Sequence, residues 1–269
     1  MHDGSLIPRF GRARRDPTLA VLEGLHPLKH ALRFDAVVLE IVTSDLAKLE
    51  RLAAALAPDV AERMCARALE IDAAVFARLA PLAPATGVMA LAERPSVDVH
   101  AVLTDPRPAP VVLLEDPRDL GNMGACVRVA AGAGAAGVLT TGSHNPWHPD
   151  ALRGAAGLHF ALAVARLEGL ERLHGREPLH GREPLHGLDR PVFAVDPDGE
   201  PLDPAQLPAR ALLAFGSERH GIGEELLACA DARVSIPMRA GVSSLNLATA
   251  VAAVLFGWRL SARAVTQLR

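Results

Sequence analysis

Six short apolar runs after residue 109 constrain the fold of this 269-residue chain more than any other feature: "PVVLLED", "AAGVLTTG", "HFALAVA", "PVFAVD", "ALLAFGSE" and "RVSIPM". Each is apolar at successive positions rather than alternate ones, so a strand built from it must be covered on both faces. Helical or turn signals separate the runs. Parallel neighbours need connections of that length, and the connecting helices supply the cover. Residues 109–269 are therefore expected to form an α/β domain on a parallel sheet.

Ahead of it, "PSVDVHAVLTDPRPAP" over residues 95–110 is rich in proline and lacks helical periodicity, as a linker or domain edge does. Within residues 17–97, "AVVLEIV" and "TGVMALAE" read as strands. "DLAKLERLAAALA" reads as an amphipathic helix capped by Ser44 or Asp45, and "DAAVFARLA" as another helix. That makes a small α/β domain. Residues 1–16 carry Arg9, Arg12, Arg14 and Arg15 and read as a basic N-terminal arm.

Half of the residues are apolar, enough for one large core or two modest ones, and the net charge of -3 gives no bulk attraction for nucleic acid. An RNA or DNA partner would have to be held by a local patch. Cys65, Cys126 and Cys229 are odd in number and far apart, which argues against a disulfide framework and against a zinc site. A reducing cytoplasm is the expected location. No stretch approaches eighteen uninterrupted apolar residues, and the N-terminus has charges without an apolar run behind them, so neither a membrane span nor export is expected. The segment "LHGREP" at residues 173–178 repeats at 179–184 and reads as a duplicated solvent loop. Its prolines and glycines disfavour a fixed ligand geometry for its histidines, so no metal is expected.

Three segments hold the candidate chemistry. In "GNMGACVRVAAGAGAAGVLTTG", a helix from about Asn122 to Ala133 follows a strand, where α/β sheets bind ligands. Gly124 and Arg128 are four residues apart on one helix face, leaving room for a phosphate or sugar edge to meet the guanidinium. Close packing of the helix on its sheet explains the same small residues equally well. "GNMGAC" does not satisfy G-x-G-x-x-G, which disfavours a dinucleotide site. The second segment places Gly216, Ser217, Glu218 and Gly221 just after an apolar strand. The third, "GVSSLNLATAVAAVLFGW", sets Ser243, Ser244 and Asn246 before a helix whose Leu247, Val251, Val254, Leu255 and Trp258 recur at helical spacing.

In this order the segments resemble the SPOUT class of RNA methyltransferases, in particular the SpoU or TrmH-like ribose 2'-O-methyltransferases. The matching motifs are N-x-G-x-x-x-R from Asn122 to Arg128, G-S-E-x-x-G from Gly216 to Gly221, I-P-M from Ile236 to Met238, and S-S-L-N from Ser243 to Asn246. The resemblance implies a C-terminal domain tied into a trefoil knot that binds S-adenosylmethionine. Cofactor-binding positions would be Gly216, Gly221, Ile236, Met238 and Leu245. Catalytic positions would be Asn122, Arg128, Glu218, Ser244 and Asn246. It further implies tRNA or rRNA as substrate, a small N-terminal domain that binds it, and a homodimer with active sites beside the interface.

The chemistry agrees with those residue types. Methyl transfer to a ribose hydroxyl requires the methyl in line with an oxygen that is losing its proton, so positioning and local electrostatics dominate. A guanidinium stays protonated at any ordinary pH and so is a poor base. Arg128 is better suited to hold the adjacent phosphate and stabilise the developing alkoxide, while the proton leaves to that phosphate, to water or to Glu218. Two other functions stay open at this point: a catalytically silent RNA-binding or ribosome-assembly protein on the same fold, and a nucleotide-dependent small-molecule enzyme.

Overall fold

The computed structural model describes residues 5–169 and 190–267. The "LHGREP" repeat lies outside the described residues. The chain divides into two compact units, one comprising residues 1–96 with 147–161 and the other residues 97–146 with 162–269.

In the first unit, helix α1 (Leu6–Ala13) precedes β1 (Leu19–Glu23), α2 (Leu25–Arg33), β2 (Val38–Thr43), α3 (Leu46–Leu56), α4 (Ala61–Cys65), β3 (Ala68–Glu70), α5 (Ala73–Phe76) and β4 (Val88–Glu93). The four strands form one sheet in the order β1-β4-β2-β3, antiparallel except for the β2–β3 pair. Asp45 caps α3, its carboxylate accepting from the Lys48 N–H at 2.7 Å. The basic segment expected as an arm is instead helical. Leu6, Phe10 and Ala13 recur at helical spacing and are buried, and Phe10 and Leu6 join a core with Val42, Met89 and Leu91. Two of its arginines are engaged as well: Arg9 pairs with Glu40 at 3.2 Å and Arg14 with Glu23 at 2.7 Å. Four arginines masked a narrow apolar stripe. Phe10→Ala should cost about 3–5 kcal/mol, the usual range for emptying a fully buried aromatic site. Urea unfolding of the variant would measure it, and an unchanged midpoint would mean that the helix is not docked.

The second unit begins with α6 (Val99–Thr104), a short helix within the segment that reads as a linker or domain edge without helical periodicity. Asp98 caps it through the His100 N–H at 2.9 Å, and Val102 and Leu103 are buried. Six residues are too few for periodicity to register among the surrounding prolines. The buried Arg190 donates to the carbonyls of Leu103, Asp105 and Ala109, satisfying main-chain acceptors that have no strand partner.

Strands β5 (Val111–Leu114) and β6 (Gly137–Thr140) flank α7 (Leu120–Ala133), which Asp119 caps and Gly134 ends in the left-handed conformation. Between β6 and β7 (Ala163–Arg166), residues 147–161, with α8 (Pro149–Gly154), belong to the first unit. This differs from the expected division at one boundary near residue 97. The chain continues through β8 (Val192–Pro201), β9 (Leu212–Phe215), α9 (Glu224–Cys229), β10 (Ala232–Ser235) and α10 (Leu247–Gln267).

The six strands form the expected parallel sheet, in the order β10-β8-β9-β5-β6-β7. From β5 the chain steps outward through β6 to β7, then returns so that β9 lies on the other side of β5. The direction of strand addition reverses between β5 and β9, and in open α/β sheets ligands bind outside the carboxyl ends of the strands near such a reversal. α10 packs against α7.

Candidate active site

A cleft of about 630 Å³ lies at the carboxyl end of β9, beside the middle of β8 where its pairing with β9 ends, and along the chain leaving β10, all within the second unit. That size suits a drug-sized or cofactor-sized ligand. Its floor is the turn after β9. Ser217 and Gly221 exchange main-chain hydrogen bonds of 2.9 and 3.0 Å, closing the turn that presents Glu218. Gly216 is required there. A Cβ on it would sit 2.0 Å from the Gly221 carbonyl carbon and 2.3 Å from the Ile222 nitrogen. Gly221 has φ +65, and a Cβ there would meet nothing nearer than Asp196 Oδ2 at 3.9 Å, so the turn leaves the cleft wall open. Phe215, Ile222, Ile236 and Leu247 make the lining largely apolar.

Three polar side chains from distant parts of the sequence meet at the rim. The Asn246 carboxamide oxygen accepts from the Ala248 and Thr249 N–H groups at 3.0 and 3.3 Å, making Asn246 the cap of α10. Main-chain N–H groups can only donate, so the orientation of Asn246 is set, and its Nδ2 donates to Asn122 Oδ1 at 3.0 Å. That bond orients Asn122 in turn. Its Nδ2 donates to Glu218 Oε1 at 3.1 Å, and the Arg118 N–H approaches Glu218 Oε2 at 3.4 Å. A carboxylate is thus aimed through two amides anchored on a helix end. Nearby, Glu115 accepts from the Gly223 N–H at 2.7 Å and holds the start of α9; burial pushes its pKa up.

Of the residues singled out from sequence, Gly216, Gly221, Ile236, Met238 and Leu245 all line the cleft, as do Glu218, Ser244 and Asn246. Asn122 joins them through its two hydrogen bonds. Arg128 is exposed on α7 and is not among the residues lining this chain's cleft. Gly124 is buried in the packing of α7 rather than open to a ligand, so the room expected beneath Arg128 is not available on that side. Of the three polar residues ahead of α10, Asn246 is the one that caps it. Burial pushes the Cys126 thiol up, and the neighbouring Glu218 adds to the effect, leaving a poor nucleophile.

Sequence reading missed Asp196 and Glu115. The turn signature Asp-Pro-Asp-Gly at residues 196–199 marked the first, while nothing local marked the second. Among the described residues, no group of His, Cys, Asp and Glu could hold a metal ion, and no helix is long and apolar enough to cross a membrane.

A family model described as "SpoU rRNA Methylase family" matches residues 109–256. An uncharacterized tRNA/rRNA methyltransferase of Archaeoglobus fulgidus is 31% identical over 152 residues, 56% of this chain and 63% of that protein. The 23S rRNA (adenosine(1067)-2'-O)-methyltransferase of Streptomyces laurentii is 29% identical over 147 residues, 54% of this chain and 52% of that protein. The chain thus spans less than two thirds of the length of either. Among solved structures, the SpoU methyltransferase AviRb from Streptomyces viridochromogenes, in complex with AdoMet, superimposes with a TM-score of 0.72. It is 22% identical, and the match covers 97% of this chain and 96% of that one.

Proposed function

Because the chain belongs to the SpoU rRNA methylase family, we propose that it transfers a methyl group from S-adenosylmethionine to a ribose 2'-hydroxyl in tRNA or rRNA. The observation that carries this reading is the chain of hydrogen bonds from the α10 cap through Asn122 to Glu218 at the rim of the cleft. The residues fit the cofactor. Apolar walls suit an adenosine, and the turn around Gly216 offers main-chain groups without side chains in the way. Bound there, S-adenosylmethionine supplies a methyl group activated by its sulfonium. The similarity to an rRNA 2'-O-methyltransferase supports the ribose hydroxyl as acceptor.

In this reading Gly216, Gly221, Ile236, Met238 and Leu245 hold the cofactor. Glu218 is positioned by Asn122, and Asn122 by Asn246, so that a carboxylate stands where the hydroxyl loses its proton. Arg128 holds the phosphate beside the target ribose and stabilises the developing alkoxide. The first unit binds the RNA, and the protein works in the cytoplasm, in keeping with its free cysteines. The knotted C-terminal arrangement of the class belongs to the same reading.

So does a two-fold dimer. Phe256 and Leu260 on α10 are 40% and 65% exposed, and Phe256 lies against Gly132 of α7. Arg128 is exposed on that same helix. Pairing through these helices would bury the apolar side chains and bring Arg128 to the partner's cleft.

Calorimetry with S-adenosylmethionine, followed by mapping of ribose methylation after incubation with unmodified tRNA and rRNA, tests the activity. Saturable micromolar binding and one methylated 2'-hydroxyl are expected. Binding to RNA without cofactor binding would instead identify a silent RNA-binding protein.

A further inference from the structure

We propose that Asp196 reads the ribose of the nucleoside in the cleft, its Oδ2 accepting a hydrogen bond from a sugar hydroxyl. The proposal rests on the reading of the cleft as the S-adenosylmethionine site.

Asp196 stands where β8 departs from regular pairing. Ala194 pairs with Arg233 and Glu200 with Val234, so residues 195–199 are skipped by the β10 ladder, and pairing with β9 ends at Val195 opposite Phe215, leaving residues 196–199 to bulge at the cleft. Bulges re-aim side chains, and this one turns the carboxylate of Asp196 into the cleft wall. The bulge is tight, since a Cβ on Gly199 would lie 2.5 Å from the Val234 nitrogen.

The carboxylate is held from behind. Its Oδ1 accepts from Arg233 Nε at 3.1 Å, from Arg233 Nη2 at 2.6 Å and from the Asp198 N–H at 2.9 Å. Arg233 Nη2 also reaches Asp198 at 3.1 Å, bracing the bulge from both acids. With Oδ1 engaged by three donors, Oδ2 faces Gly221 across the cleft, and the side chain is only 11% exposed. An oriented carboxylate oxygen that water reaches poorly gains most from a donor on the ligand. Its neighbours Val195, Pro197 and Ile222 are apolar. A neutral hydroxyl suits that setting, and acidic side chains read ribose hydroxyls in the same way on other doubly wound sheets.

The experiment is calorimetry on the 269-residue chain with S-adenosylmethionine, with 5'-methylthioadenosine, and with the 2',3'-dideoxy form of 5'-methylthioadenosine. Methylthioadenosine keeps the sugar and base but lacks the amino-acid end. Asp196→Asn should weaken the first two by about tenfold to a hundredfold and alike, and leave the dideoxy ligand, already weak, unchanged. Arg233→Gln, which frees Asp196 without removing it, should produce the same pattern at a smaller factor. It carries the test if Asp196→Asn melts below the wild type in the absence of ligand. Three results would overturn the inference: full affinity in both variants, a loss confined to S-adenosylmethionine, and an equal loss for the dideoxy ligand. A wild-type protein that bound neither ribose-bearing ligand would overturn the cofactor reading along with it.

Discussion

Gly216→Ala should lower affinity for S-adenosylmethionine by at least about a hundredfold, the largest single loss available in the cleft. The added Cβ would sit 2.0 Å from the Gly221 carbonyl carbon, 2.2 Å from its oxygen and 2.3 Å from the Ile222 nitrogen. All three are main-chain atoms, so no side chain can swing away to make room. The turn must open, and with it go the paired hydrogen bonds between Ser217 and Gly221 and the placement of Glu218 for Asn122. Since β9 lies in the middle of the sheet, the variant should also lose about 1–3 kcal/mol of stability. Calorimetry and urea unfolding read the two effects separately. Gly11→Ala is the control: a Cβ there meets nothing within 4 Å, so cofactor affinity should be unchanged, while stability should rise by about 0.5–1 kcal/mol because the site lies within helix α1. Wild-type affinity in Gly216→Ala would show that the cleft does not depend on this turn.

Arg128→Ala should reduce methyl transfer by about 10²–10³-fold while leaving cofactor affinity intact, as expected for a group that meets charge developing in the reaction. Arg128→Lys should recover little of it, because a single ammonium cannot replace two parallel N–H donors on a phosphate. The distinctive result lies in mixing. If Arg128 completes the partner's cleft, Arg128→Ala and Gly216→Ala fail alone but complement when unfolded and refolded together. Half of the dimers are then mixed, and each has one intact site of two, so about a quarter of wild-type activity returns. Absence of any recovery, with light scattering showing that dimers had formed, would place the arginine and its cleft in one chain. A monomer at micromolar concentration that remained active would remove the shared site altogether.

Much of the second unit was legible locally. The apolar runs became the strands of the parallel sheet, and Leu247, Val251, Val254, Leu255 and Trp258 are all buried on α10 as their spacing implied. Most of the candidate site residues converge on one cleft, while Arg128 and Gly124 of α7 do not line it. Short or masked elements were not legible. α6 has six residues among prolines, and α1 hides three apolar positions among arginines.

Burial of a strand or helix face is written in the periodicity of neighbouring residues, so the sequence by itself determined the sheet class, the long helices and the types of residue available for chemistry. The pairing of particular side chains is not periodic. Asn122 meets Glu218 across 96 positions and Asn246 across 124, and Asp196 meets Arg233 across 37. Only the tertiary structure decided those contacts. They depend on the order in which strands pair, on the reversal between β5 and β9 and on a bulge in β8, all of which are set by packing summed over the whole sheet.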